Sequence, residues 1–293
     1  MSPSSAEQRV RATLPFVRFL QAYIPLPLVR WIERRSRGRV VLPVGVTREI
    51  VSARGVACEW YIPDNSPHDQ VLLYLHGGAF IFGLTSMHRQ MVARLAQTMG
   101  IRALMVDYRL APEHPFPAAL DDCVTTYRWL LEQGISASQI VIAGDSAGGN
   151  LTLTTLMKLR DSGDPLPAAA ACLSPVADLT ERADHDRDPL LNPRAMQFAT
   201  RSYIAQTEAR TSLISPVFGD WKGLPPLLIH AGEDEILRVD AIHVEALAKA
   251  AGVDVRLEVY PRMWHVWQLY PTLPQAVQSL NDIAQFLKAH VSH

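Results

Sequence analysis

The sequence predicts an α/β protein, a parallel sheet with helices on both faces. Three observations carry that expectation. Short apolar runs alternate with stretches of helical length and periodicity along most of the chain. Nearly half of the 293 residues (48%) are apolar, enough for a large core and against disorder. Finally, Gly144-Asp145-Ser146-Ala147-Gly148 stands where an apolar run gives way to a helical pattern.

Taken in order, residues 9–39 stand apart. Leu14, Phe16, Val17, Phe19, Leu20, Ile24, Leu28 and Trp31 recur at roughly helical spacing, interrupted at Pro15, Pro25 and Pro27. Eight arginines against Glu33 alone give this segment +7, in a chain whose net charge is −1. The expectation is a helical arm (residues 1–46) packed on the body with its basic face solvated. The prolines argue against membrane contact through one long helix.

Strand-like runs follow at 49–53, 57–61, 70–75, 102–106, 139–143, 168–173, 226–230 and 254–259. Helical patterns fall at 87–99, 118–132, 147–161, 239–251 and 273–289. The first two strands read as a hairpin turning at Arg54-Gly55. Residues 179–215 are charged, proline-interrupted and too long for a simple connection, so they read as an insertion over the sheet's ligand-binding end. The main body is then 47–178 with 216–293.

Composition excludes several functions. Near-neutral net charge offers no field for nucleic acid. Cys58, Cys123 and Cys172 are few, scattered and odd in number. They form neither a disulfide framework nor a zinc site, and they suit a reducing, cytoplasmic compartment. No apolar run approaches a membrane span and no signal peptide is legible. No metal or cofactor is implied, and self-association is left open.

The chemistry concentrates at strand ends. Gly-x-Ser-x-Gly between an apolar strand and a helix is the nucleophile elbow of α/β-hydrolases, with glycines where the sharp turn leaves no room for side chains. An earlier strand ends in His76-Gly77-Gly78-Ala79. The N–H groups of Gly77, Gly78 and Ala79, with that of Ala147, could form an oxyanion hole, and His76 would shape the loop. A serine nucleophile needs a base and an orienting acid, which in this fold follow it in the order acid, then histidine. His265 lies just after the last predicted strand and is the base. Three carboxylates, Glu233, Asp234 and Glu235, follow the preceding strand within one turn, and their positions do not choose between them.

Together these residues resemble the hormone-sensitive-lipase-like family of α/β-hydrolase esterases. So does the run from Asp107-Tyr-Arg-Leu-Ala-Pro-Glu-His-Pro to Asp122, and Ser174-Pro175 with Asp178. The resemblance implies a mostly parallel eight-stranded sheet with a helical cap. It also implies serine carboxylesterase activity on short- to medium-chain esters, with a small-molecule ester as the partner. The family's acid precedes its histidine by about thirty residues, which points to Glu235, with Asp234 as the rival. Two departures stand out. Ala79 replaces the third glycine of the oxyanion loop and should serve if its φ is negative. Val266-Trp267 follows the histidine, where many relatives have glycine and an aromatic. Arg109, Glu113, Asp121 and Asp122 read as a structural ion-pair network, and Phe80, Phe82, Met196, Phe198 and Trp264 as candidate pocket walls. Acyl transfer or deacetylation of a specific metabolite could use the same triad. A ligand-binding protein on this fold would not need His265.

Overall fold

A computed structural model describes residues 3–36, 40–180 and 188–291. Arg37, Arg39 and His293, and residues 181–187 of the expected insertion, lie outside the described residues. Eight strands form one sheet. They are β1 (Val46–Ala53), β2 (Val56–Pro63), β3 (Val71–Leu75), β4 (Arg102–Val106), β5 (Ile140–Asp145), β6 (Ala169–Leu173), β7 (Leu227–Gly232) and β8 (Val255–Tyr260). Their order is β1-β2-β4-β3-β5-β6-β7-β8, with the β1–β2 and β2–β4 pairs antiparallel and the other pairs parallel. Positive φ at both Arg54 and Gly55 closes the β1–β2 hairpin in the geometry that matches strand twist.

Alternation along β3 explains the layering. Val71, Leu73 and Leu75 join the core on one face of the sheet, while Leu72 and Tyr74 join the core on the other. Because both faces are covered, central strands are continuous apolar runs rather than alternating ones. The flanking helices are α1 (Ser5–Tyr23), α2 (Leu26–Ser36), α3 (Ser86–Met99), α4 (Ala118–Glu132), α5 (Ala147–Asp161), α6 (Pro193–Ile204), α7 (Arg238–Ala250) and α8 (Pro274–His290). Helices α3 and α8 cover one face, and α4, α5 and α7 the other. The chain crosses from one side of β3 to the other after β4, and ligands in open α/β sheets bind at such a switch point, outside the C-terminal strand ends.

The arm differs from expectation in two respects. Pro15 does not break α1, which runs through it, because Leu14 beside it is fully buried among Met263, Trp264 and Trp267. That packing outweighs the one hydrogen bond a proline removes. Pro27 sits in the first turn of α2, where no such bond is lost. The arm's arginines are also not simply solvated. Arg11 pairs with Asp234 at 2.8 Å, Arg18 donates to Leu191 O, and Arg30 donates to Ile81 O and to Glu113. These cations find carbonyls and carboxylates on the body, so it is the polar side of the arm that grips it.

Candidate active site

The elbow follows from packing. Ser146 sits between β5 and α5 at φ 53°, ψ −116°, a conformation that costs an L-residue energy and persists only where its surroundings impose it. Its N–H donates to Leu173 O at 2.8 Å and its carbonyl accepts from Asn150 N–H. The flanking glycines are sterically required: a Cβ at Gly148 would lie 1.9 Å from Leu75 O, and one at Gly144 2.3 Å from Gly148 O. The serine is thus presented at the mouth of α5, whose first N–H groups favour negative charge.

The candidate base and acid arrive from two neighbouring strand ends, those of β8 and β7. His265 Nε2 lies 2.8 Å from Ser146 Oγ, and its Nδ1 lies 2.7 Å from Glu235 Oε2. The other carboxylate oxygen, Oε1, accepts from Gly232 N–H at 2.7 Å, so both oxygens of Glu235 are engaged and the group is buried. Of the three competing carboxylates, Glu235 alone reaches the imidazole. Asp234 pairs with Arg11 from the arm, and Glu233 accepts from Arg262 N–H. Burial by itself disfavours the imidazolium. The Glu235 hydrogen bond and charge, with smaller contributions from Asp188 and Asp145, outweigh it and hold the His265 pKa above its ordinary value. A higher pKa makes the imidazole a stronger acceptor for a serine proton.

The oxyanion loop departs from expectation at Gly77. Its N–H is not available: it donates to Asp145 Oδ1 at 3.0 Å. Among the described residues, the N–H groups of Gly78, Ala79 and Ala147 have no internal acceptor, and they are the remaining candidates. Ala79 does not have the negative φ expected of it. It stands at φ 51°, followed by Phe80 at 63°, a left-handed turn costing roughly 1–2 kcal/mol per non-glycine residue. The turn is closed by Ile81 and Phe82 N–H groups donating to Gly78 O. His76 keeps out of the chemistry. It is buried, stacks on Tyr108 at 4.2 Å, and burial pushes its pKa down to about 3, so it is neutral.

A cavity of about 200 Å³ opens over Ser146. Gly78, Ala79, Phe82, Met87, Val266 and Leu269 line its floor and sides, and Gln21 of α1 joins Leu190, Leu191, Ala195 and Met196 of the insertion around it. Phe82 and Met196 are therefore wall residues as expected, whereas three others are not. Phe80 stacks on Tyr203 at 3.7 Å, Trp264 is buried under Leu14, and Phe198 points to solvent. Val266 stands at φ 48°, ψ 48°, unusual for a β-branched residue, with its N–H donating to Ser174 Oγ. Arg109 and Asp122 do form an ion pair, but Glu113 pairs with Arg30 of the arm instead.

Three residues around the site were not assigned a role from the sequence. Asp145, inside the motif, holds Gly77 N–H, accepts from Tyr74 OH at 2.9 Å and lies 3.2 Å from His88 Nε2. Burial opposes its charge, but His88 and these donors keep its carboxyl below the ordinary value. Buried Asp188 accepts from Leu190 and Leu191 N–H with one oxygen and from Ile236 N–H with the other. It therefore joins the pocket wall to the loop carrying Glu235. No sequence signal marks Asp188 or His88; the Asp of Gly-Asp-Ser was visible, but not its partners.

Residues 72–269 match the family model described as the alpha/beta hydrolase fold. An acetyl-hydrolase of Streptomyces hygroscopicus is 41% identical over 257 residues, covering 86% of this chain and 85% of its own. The carboxylesterase/phospholipase LipF of Mycobacterium tuberculosis is 37% identical over 286 residues, covering 90% and 74%. A crystal structure of an esterase from the bacterial hormone-sensitive lipase family superposes with a TM-score of 0.90 at 39% identity, covering all of both chains. With its elbow, its strand order and these likenesses, the chain belongs to the hormone-sensitive-lipase-like family of α/β-hydrolase esterases.

Proposed function

We propose that this enzyme hydrolyses short- to medium-chain carboxylic esters through an acyl-enzyme on Ser146. The observation that carries the reading is the continuous chain Ser146 Oγ–His265–Glu235, with hydrogen bonds of 2.8 and 2.7 Å. Ser146 Oγ attacks the ester carbonyl while His265 Nε2 takes its proton. The carbonyl oxygen becomes an oxyanion received by the N–H groups of Gly78, Ala79 and Ala147, each donor worth about 3 kcal/mol to the transition state. Collapse breaks the bond to the alcohol oxygen, which leaves with the proton from His265. Water then gives a proton to His265 and attacks the acyl carbonyl, releasing the acid and restoring Ser146. Glu235 holds the imidazole tautomer and stabilises the imidazolium throughout.

Cavity size supports the substrate class. At about 200 Å³ it is smaller than pockets for drug-sized ligands, and its walls are mainly aliphatic. The arm (1–46) and the insertion (179–215) serve as the cap, meeting where Asn192 N–H donates to Gln21 Oε1. The relative's acetyl-hydrolase name favours a second reading, deacetylation of one specific metabolite by the same triad. Hydrolysis of p-nitrophenyl esters from acetate to palmitate tests the first. Turnover should peak at short chains and be lost, by about 10⁶-fold in kcat, in Ser146→Ala. A peak at palmitate, or residual turnover in the variant, would refute it.

A further inference from the structure

The arm is built inside out. On α1, Glu7, Arg11, Leu14, Arg18 and Gln21 recur every three or four residues and form the inward side. Glu7 is buried against Arg262, and Arg11, Arg18 and Gln21 reach Asp234, Leu191 and Asn192. The opposite side carries Phe16, Phe19 and Tyr23. Helix α2 repeats the arrangement. Leu26 packs against the core and Arg30 is anchored to Ile81 O and Glu113, one turn apart on the inward side. Leu28, Trp31 and Ile32 stand on the other side. These six apolar side chains are 48 to 65% exposed. Scattered exposed apolar residues are ordinary, but two consecutive helices that turn their apolar sides outward are not.

Charge indicates what covers them. The segment 9–39 holds +7 in a chain of net −1. Arg11 and Arg30 are neutralised by partners on the body, whereas Arg9 and Arg35 are exposed on the same sides as the aromatic residues. Arg35 stacks on Trp31, its guanidinium 4.6 Å from the ring centre. Aromatic and aliphatic side chains framed by arginines are the composition that settles at a lipid–water boundary, with attraction to anionic headgroups added to apolar burial. A second copy of this chain would bring like charges together across a two-fold axis and is disfavoured. We infer that the outward sides of α1 and α2 dock the enzyme on an anionic lipid surface. Among the described residues no helix is long and apolar enough to cross a membrane. Docking is peripheral, in the plane of the interface.

Vesicle flotation tests this on the full chain, using phosphatidylcholine vesicles with and without about 30% phosphatidylglycerol. The wild type should float with the anionic vesicles, more weakly at high salt. Binding should fall at least tenfold in a Phe16→Ser/Phe19→Ser/Trp31→Ser variant. It should also fall in Arg9→Glu/Arg35→Glu, which leaves the apolar residues intact and guards against a folding defect in the first. Hydrolysis of p-nitrophenyl acetate, measured alongside, should stay within about twofold of wild type, since none of these residues touches the cavity; it reports on the esterase reading separately. Absence of wild-type flotation, equal binding to neutral vesicles, or equal binding by both variants would overturn the inference. So would a concentration-dependent dimer that the Phe/Trp variant abolishes.

Discussion

The strand-end centre and the arm above it are held by opposite means. At the centre, the side chains of Ser146, His265 and Glu235 are hydrogen-bonded to one another across the ends of β5, β7 and β8, and the elbow glycines leave no slack. The arm is tied down by side chains reaching across, such as Arg18 to Leu191 O and Gln21 to Asn192, while Phe16, Phe19, Tyr23, Leu28, Trp31 and Ile32 stand exposed on its other side. The contrast teaches where precision resides. The candidate catalytic side chains are fixed by a packed sheet, whereas the arm that contributes Gln21 to the cavity wall has few tethers, as segments at the low-stability end of a structure do.

The largest effect that could break this contrast lies at the acid. Glu235→Gln should cost about 10³–10⁴-fold in kcat, because the amide no longer stabilises the imidazolium. The base must be neutral to act, so the raised His265 pKa places the acid limb of kcat/KM above 6.5. The Glu235 carboxylate does most to raise that pKa, so without it the limb should move to lower pH. Asp234→Asn should leave both nearly unchanged; the reverse pattern would mean that Asp234 is the acid and the hydrogen bond to Glu235 is incidental.

Asp188 sharpens the comparison, because it belongs to both regions. Asp188→Asn puts an NH₂ group opposite either Ile236 N–H or the Leu190 and Leu191 N–H pair, leaving buried donors facing one another. A displaced acid loop should lower kcat roughly 10- to 100-fold. The loss of a nearby negative charge should shift the acid limb down by less than in Glu235→Gln. A change in KM alone would show that Asp188 serves only the pocket wall.

The smallest effect belongs to the arm. Arg18→Ala removes the donor to Leu191 O and should raise KM by less than about tenfold, the scale of one partly exposed hydrogen bond. Steady-state kinetics should show kcat unchanged. A kcat loss as large as that of Asp188→Asn would mean that the arm positions the reacting groups and that the contrast is false.

Much of the centre was legible in the residues because its signals are local. The strands are continuous apolar runs, the elbow is five consecutive residues, and His265 lies just past a strand. Choosing among Glu233, Asp234 and Glu235 was not a local matter. All three stand within one turn, and the direction each side chain takes depends on where Arg11, Arg262 and His265 arrive from distant parts of the chain. The same holds for Gly77, whose N–H is taken by a carboxylate 68 residues away.

By itself, then, the sequence determined the fold class and singled out Ser146 and His265 as candidate nucleophile and base, because periodicity and a contiguous motif encode backbone geometry directly. Only the tertiary structure decided which carboxylate orients the histidine, which N–H groups remain for an oxyanion, and which side of the arm faces out. An amphipathic pattern states that a helix has two unlike sides. Which side turns inward depends on the acceptors it meets, and here carbonyls and carboxylates on the body drew the arginine side in.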